Sequence, residues 1–311
     1  MKYILPFFLL LAVHFTFAQP SEPVIPVVEE ETEAHDFRLH YNMQAPARTF
    51  ELPEALKEIS GLSLTPDESK LVAVQDEDGE IYVINKTTGE IERDYNFYKE
   101  GDYEGVEMVG NSAFVTKSNG KIYEVHDFGG DHQQTIKFTT PLNKAYDVEG
   151  LGYDAKNERL LMCCKAVGES SDELILEKSI YAFDLKTRCL IEKPVYTLRL
   201  KDFLYYLDNN QHVHRFKKMK EHFSENPEDF AFSSSAIAVN PRTGDIYVLS
   251  SKGKMMGVLS PEGKILHVEK LEKSIHCQPE GICFAKDGTM YVSNEGKNGA
   301  PGRIYRFDYL K

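Results

Sequence analysis

Five residues with oxygen-bearing side chains recur at near-constant intervals along the chain. Each stands directly before a glycine or an alanine, as Glu149 does in the stretch DVEGLGYD. The five are Ser60, Glu104, Glu149, Ser235 and Glu280. Their interval is about 45 residues, with one gap of about twice that length. Because equivalent positions of a repeat lie at equivalent places, this spacing predicts one ring of three carboxylates and two hydroxyls.

Three glutamates that face one another across a narrow channel repel strongly. Either the pKa of the carboxyls rises, or a cation neutralises their charge. Carboxylate and hydroxyl oxygens, with no histidine or cysteine among the five, match the ligands of Ca²⁺ and not those of a zinc site. The alternative is that each glutamate is an ordinary loop residue of an acidic chain. The recurrence at three equivalent positions favours the ring.

Short β-rich runs separated by turn residues surround these positions. A period of about 45 residues with four such runs is typical of a β-propeller blade. The tripeptides TTG, RTG, PEG and KDG supply the glycine that tight hairpins require. We therefore predict an all-β fold, a five-bladed β-propeller formed as one domain by residues 36–311.

The double-length interval allows two interpretations. Residues 201–233 carry apolar side chains at roughly helical spacing among charged ones, which predicts a helical insert packed over the propeller. A degenerate sixth blade is the alternative.

The last repeat contains only three strand-like runs, and a further run at 47–53 precedes the first repeat. We therefore predict that this N-terminal strand closes the last blade, which removes an exposed sheet edge.

The N-terminal segment has the pattern of an export signal. A lysine, a short apolar run and a small residue at Ala18 predict a signal peptide over residues 1–18. Residues 19–35 are rich in proline and acids, which predicts an extended linker. We expect an exported protein of the periplasm or cell envelope, or one released outside the cell, without a transmembrane segment in the mature chain.

The net charge of −13 argues against nucleic acid as a partner and suits cations. The five cysteines are too few and too irregular for a disulfide framework, although a Cys277–Cys283 pair stays an alternative.

The ordered stretches EISGLSL, DYEGVEM, DVEGLGYD, SSAIAVNPRTGDIYVLSS and QPEGICFAKDGTMYVSNEG carry a resemblance. Through these stretches taken together, the chain resembles the SdiA-regulated (YjiK/CarP-like) family of exported β-propellers. The resemblance implies five blades, a calcium site and an association with envelope calcium homeostasis. The ring is also similar to the axial calcium ring of the calcium-activated nucleotidases, which implies that the five ring residues bind the metal. Ala236 departs from the pattern, because glycine follows the other four ring residues.

The loops between the second and third strands of each blade return to the end of the propeller that carries the ring. Polar and aromatic residues there are candidates for a ligand-binding face, with ordinary loop residues as the alternative. These candidates are Asp76, Glu77, Tyr103, Lys117, Tyr146, Lys165, Asn294 and Glu295.

No catalytic motif stands out, since the chain has no G-x-S-x-G elbow and no phosphate-binding glycine loop. We therefore expect no catalysis and favour a calcium-binding propeller that binds a small molecule or an envelope protein. The alternatives are a calcium-dependent phosphohydrolase of the nucleotidase type and a calcium site that is purely structural.

Overall fold

The computed structural model describes residues 37–168, 176–224 and 230–311, of which Phe37–Lys311 form one unit. The predicted signal peptide, 1–18, and linker, 19–35, lie outside the described residues. A short strand, β1 (Arg48–Glu51), is followed by a 3₁₀ helix at Glu54–Leu56 and by the first full sheet.

Each repeat of the sequence forms one antiparallel sheet. Blade 1 consists of β2 (Ile59–Leu64), β3 (Lys70–Gln75), β4 (Glu80–Asn85) and β5 (Ile91–Asn96). Blade 2 consists of β6 (Tyr103–Val109), β7 (Ser112–Lys117), β8 (Ile122–His126) and β9 (Gln134–Phe138). Blade 3 consists of β10 (Val148–Asp154), β11 (Arg159–Cys164), β12 (Glu177–Asp184), β13 (Cys189–Leu190) and β14 (Tyr196–Arg199).

Two helices separate blade 3 from blade 4. They are α1 (Leu200–Asn209) and α2 (Phe216–Ser224). Blade 4 consists of β15 (Ser234–Val239), β16 (Ile246–Ser250), β17 (Met255–Leu259) and β18 (Ile265–Lys270). Blade 5 consists of β19 (Pro279–Phe284), β20 (Met290–Asn294), β21 (Arg303–Phe307) and β1.

The turns of the blades use glycine as the sequence predicts. The glycines of TTG, RTG, PEG and KDG are Gly89, Gly244, Gly263 and Gly288, and each has a φ between 78° and 91°. This left-handed region is readily open only to glycine, so these residues fix the hairpins that set the strand register.

The predicted closure is confirmed. β1 pairs antiparallel with β21, with Glu51 opposite Arg303, and these two side chains form an ion pair of 3.0 Å. The N-terminal strand thus covers the edge that the last blade would otherwise expose.

The helical insert is confirmed, and the six-bladed alternative is wrong. Phe203 and Leu207 of α1 and Phe223 of α2 are fully buried against strands of blades 3 and 4. Tyr206 of α1 also hydrogen-bonds through its hydroxyl to Nδ1 of His267, at 2.9 Å. The apolar side chains of the two helices therefore pack against blades 3 and 4.

All five cysteines are free, so the Cys277–Cys283 pair does not form in this structure. Instead, Sγ of Cys277 donates to the carbonyl oxygen of Glu295 at 3.2 Å. Among the residues that the structure describes, no helix is long and apolar enough to cross a membrane.

Glycines on the innermost strands bring neighbouring blades into backbone contact. A Cβ added at Gly61 would lie 2.6 Å from the backbone nitrogen of Val106 in the next blade. A Cβ added at Gly150 would lie 2.9 Å from Cα of Ala236. None of the glycines at this level has a left-handed φ, so close approach and not backbone freedom explains them. Close packing of neighbouring blades therefore accounts for glycine at these positions.

Gly61→Ala is expected to lower the free energy of unfolding by about 1–3 kcal/mol, because the added methyl group overpacks two backbones. The matched control is Gly257→Ala on β17, where the nearest atom to an added Cβ is Cζ of Phe203 at 3.5 Å. Urea unfolding followed by circular dichroism measures both variants. Equal stabilities of the two variants would show that the inner strands do not pack as described.

Candidate functional site

Each predicted ring residue lies at an irregularity in an inner strand. The pairing of the first and second strands shifts register at five places: Ile59/Gly61, Tyr103/Gly105, Val148/Gly150, Ser234/Ala236 and Pro279/Gly281. The residue skipped in each case is the ring residue. A β-bulge leaves one residue outside the ladder and re-aims its side chain. The five residues thus occupy structurally equivalent positions, as the repeat predicts.

The two serines of the ring are buried, and their hydroxyls donate hydrogen bonds to backbone carbonyl oxygens. Oγ of Ser60 donates to the carbonyl oxygen of Glu58 at 3.2 Å, and Oγ of Ser235 donates to that of Pro279 at 2.7 Å. A hydroxyl has two lone pairs besides its single proton. Both serine oxygens therefore keep acceptor capacity.

Glu104 has a carboxyl with a strongly raised pKa. Burial, the charge of Glu149 and a hydrogen bond with Asp102 together raise the pKa of Glu104 to about 10. The carboxylate of Asp102 itself accepts a hydrogen bond from Oγ of Ser118. At neutral pH the side chain of Glu104 therefore holds a proton when nothing else neutralises the site.

Glu149 has a basic partner. Nζ of Lys165 lies 3.0 Å from the carboxylate of Glu149 and 3.7 Å from that of Asp147. Burial still raises the pKa of Glu149 to about 7, although Lys165 opposes the shift. Burial disfavours the charge of Lys165, but the two carboxylates outweigh it and raise the pKa of Lys165.

Glu280 belongs to an acidic group at the boundary of blades 5 and 1. Burial, followed by the charges of Glu295 and Glu149, raises the pKa of Glu280 well above its usual range. Burial and the charge of Asp76 raise the pKa of Glu295 to about 7. Burial and the charge of Glu58 raise the pKa of Asp76 to about 6.

Several buried polar atoms at this end of the strands lack a hydrogen-bond partner. Among the described residues they include Oδ1 of Asp76, Oγ of Ser234, Oγ of Ser293 and both amide atoms of Asn294. Asn294 pairs with Pro279 in the sheet, and Ser293 pairs with Gly281, so both flank Glu280. Orphaned polar atoms of this kind are rare in folded proteins and call for a ligand or solvent.

The donor set is chemically suited to a hard cation. It consists of carboxylates, hydroxyls and an amide, and Ca²⁺ takes six to eight such oxygens, including amide and backbone carbonyls. In residues 37–168, 176–224 and 230–311, no three Asp, Glu, His or Cys side chains are grouped closely enough to hold one ion. A calcium site here would therefore combine one or two carboxylates with Ser60, Ser235 or Asn294.

The other predicted face residues differ in what they can contact. Glu77 is exposed and Tyr146 is partly exposed. Tyr103 is fully buried, and its hydroxyl donates to the carbonyl oxygen of Lys99 at 2.6 Å. Nζ of Lys117 lies 4.9 Å from the centre of the Tyr103 ring. Tyr103 therefore supports the position of Lys117 and does not itself reach the face.

Sequence reasoning missed Asp102 and Asp147. Both stand two residues before a ring glutamate, in the shared pattern D-x-E-G, so a comparison of blades 2 and 3 could have found them. Asp147 also has a left-handed φ of 52°, which is uncommon outside glycine. The two aspartates add negative charge beside Glu104 and Glu149.

The fold and this acidic axial ring define a five-bladed β-propeller with a candidate cation site at one end of its channel. A family model described as SdiA-regulated matches residues 38–166 and 188–308. The chain belongs to the SdiA-regulated family.

Two solved structures of low sequence identity are similar to the chain. The chain is similar to glutaminyl cyclase of Myxococcus xanthus, with 10% identity and a TM-score of 0.55 over 86% of this chain and 97% of that one. It is also similar to streptogramin B lyase, with 12% identity and a TM-score of 0.43 over 85% and 73% of the two chains. At 10% identity the similarity to the glutaminyl cyclase concerns the fold alone. No curated protein sequence matches the chain significantly.

Without calcium, the free energy of unfolding is expected to fall as the pH rises from 4.5, the ordinary pKa of Glu104, towards about 10. Across that window the folded chain keeps a proton that the unfolded chain has released, so rising pH favours unfolding. Glu104→Gln should make this decline shallower. Urea unfolding at several pH values in chelator measures the slope.

The exposed Glu77 on the same face provides the control, because Glu77→Gln removes the same charge where solvent screens it. Identical slopes for wild type and Glu104→Gln would contradict the burial of the Glu104 carboxyl.

Proposed function

We propose that the chain is an exported, calcium-binding β-propeller of the cell envelope whose ring face binds a small molecule or a partner protein. The observation that carries the proposal is the ring itself. Three glutamates occupy equivalent bulges, burial raises the pKa of each, and Lys165 forms an ion pair with only one of them, Glu149.

Placing uncompensated carboxyls in a partly dry channel costs stability. Such an arrangement is stable at neutral pH only with protons or with a bound cation. An oxygen-only donor set with orphaned Asn294 and Ser293 beside Glu280 favours a hard cation over a zinc-type ion. A bound Ca²⁺ would neutralise the ring and displace its protons. In this proposal one or two of Glu104, Glu149 and Glu280 supply carboxylate oxygens, and Ser60, Ser235 or Asn294 completes the ligand set.

The residues around the ring suit recognition of a further ligand. Lys117 and Lys165 offer positive charge, whereas Asp76 and Glu295 offer acceptors, and all four are partly exposed. The proposed place in the cell rests on the pattern of residues 1–18, and the proposed link to calcium homeostasis rests on family membership.

Calcium is expected to raise the thermal midpoint of the wild-type chain relative to chelator. At free calcium about 100-fold above Kd the gain is about 2.7 kcal/mol, which corresponds to roughly 5–10 °C for a domain of this size. Glu280→Gln should lose most of this gain because it removes a ligand oxygen and its charge. Differential scanning calorimetry with calcium and with chelator measures both midpoints.

The two conditions also separate folding from binding. In chelator, Glu280→Gln should not lower the midpoint, because the amide replaces a carboxyl whose charge is disfavoured by burial. Glu77→Gln should keep the full calcium gain, since Glu77 is exposed. An equal calcium gain in wild type and Glu280→Gln would remove Glu280 from the site, and no gain in the wild type would sink the calcium proposal.

A calcium-dependent phosphohydrolase is the second candidate. The observation in its favour is that the pKa values of Asp76 and Glu295, about 6 and about 7, lie where a general base works best. A cation beside them could polarise a phosphoryl oxygen.

If this candidate is correct, nucleoside di- and triphosphates release phosphate only with calcium present, and Asp76→Asn lowers kcat by about 100-fold or more. Glu77→Gln is the control and should leave kcat unchanged. Phosphate release measured across a panel of nucleotides decides the matter. Absence of calcium-dependent turnover would exclude the phosphohydrolase and leave binding as the remaining proposal.

A further inference from the structure

A cavity of about 840 Å³ lies at the end of the channel opposite the ring. The ring residues stand where the inner strands begin, whereas this cavity is lined by residues where those strands end and by the loops that follow. Its walls come from all five blades. A volume of this size falls within the range of small-molecule sites.

The floor of the cavity is a second level of equivalent positions. Side chains alternate along a strand, so the residue two places after each small residue faces the channel again. These residues are Ser63, Glu107, Gly152, Ala238 and Cys283, and all of them except Gly152 line the cavity. The small side chain of Ala238 leaves space on the cavity side, whereas a Cβ added at Gly152 would lie 2.6 Å from the carbonyl oxygen of Ile237. Glu107 is the one charged member of this level.

The Glu107 carboxylate has polar support but no counter-ion. Oγ of Ser63 donates to Oε1 of Glu107 at 2.8 Å and accepts a hydrogen bond from the backbone N–H of Met108 at 3.2 Å. Among the described residues, no basic side chain forms an ion pair with Glu107. Burial raises the pKa of Glu107 to about 7, and hydrogen bonds from Ser63 and from the backbone N–H groups of Met108 and Tyr153 oppose this shift. The charge of Glu107 in turn helps to raise the pKa of Tyr153 and of Cys283.

Two of the three basic residues that line the cavity have acidic partners, and the third, Lys156, is exposed and helps to lower the pKa of Glu262 at the mouth. Arg159 donates to the carboxylate of Asp154 at 2.8 Å and to the hydroxyl of Tyr196 at 2.9 Å. Nζ of Lys286 lies 3.8 Å from the carboxylate of Glu68. None of these three basic residues forms an ion pair with Glu107 in the part of the chain that the structure describes.

Between floor and mouth the walls carry apolar and aromatic side chains among polar and charged ones. The apolar and aromatic side chains include Leu64, Met108, Tyr153, Ile246 and Phe284. Apolar walls with one convergent charged group are typical of sites for small amphipathic ligands. Aromatic faces also attract cations and repel anions.

We propose that this cavity binds a small organic ammonium ion with an apolar body, with its charged nitrogen paired to Glu107. The apolar body of the ligand packs against Tyr153, Phe284 and the aliphatic walls. This site lies on the face opposite the ring and does not depend on the calcium proposal.

The test compares three probes of similar shape by isothermal titration calorimetry: 2-phenylethylammonium, the neutral 2-phenylethanol and the anionic 3-phenylpropanoate. The ammonium ion is expected to bind at least about tenfold more tightly than either of the others, which is the scale of one charge-assisted hydrogen bond. Glu107→Gln should lose that preference and bind the ammonium ion and the alcohol about equally.

Glu262→Gln is the matched control, because Glu262 is an exposed acid at the mouth of the same cavity. It should change the affinity for the ammonium ion by less than about twofold. Unchanged binding of 2-phenylethanol to Glu107→Gln shows that the cavity is intact in that variant.

Three results would overturn the proposal: tighter binding of 3-phenylpropanoate, full retention of ammonium binding by Glu107→Gln, or no ammonium binding at about 10 mM. The comparison of the three probes on the wild-type chain needs no variant, so it remains decisive if Glu107→Gln does not fold.

Discussion

The backbone contact between neighbouring inner strands is the constraint on which the rest of the structure depends. At Gly61, Gly105, Gly150 and Gly281 the next blade approaches so closely that a Cβ has little or no room. This contact fixes the level at which the five strands meet. The axial void between them is only about 10 Å³, room for about one water molecule. The strands therefore close the channel at this level and separate the end with the ring from the end with the cavity.

The acids of the ring lie at the same level. The residue before each glycine or alanine bulges out of the ladder there. The glutamates at these positions are buried or half-buried. Folding thus concentrates negative charge in a chain that is already acidic, which costs stability. Functional sites are commonly kept at such a cost.

The sequence was sufficient for the blade number, the closure by β1 and the helical insert, because strand alternation, turn glycines and helical periodicity are local signals that recur. It also placed the ring, since repetition aligns Glu104, Glu149 and Glu280. Repetition does not reveal what surrounds one position. The burial of Tyr103 and the unpartnered amide of Asn294 depend on how neighbouring loops pack, which no local pattern encodes.

Strand β6 shows this limit most clearly, because it carries Glu104 and Glu107 only three residues apart, about 10 Å along the strand. Glu104 lies among other acids, and their charges add to the effect of burial on its pKa. Glu107 lies among apolar walls, and burial alone raises its pKa. Glu104 has acidic counterparts in other blades and is therefore visible in the repeat. The positions equivalent to Glu107 in the other blades hold no acid. The proposed role of Glu107 depends on the cavity that residues of all five blades line.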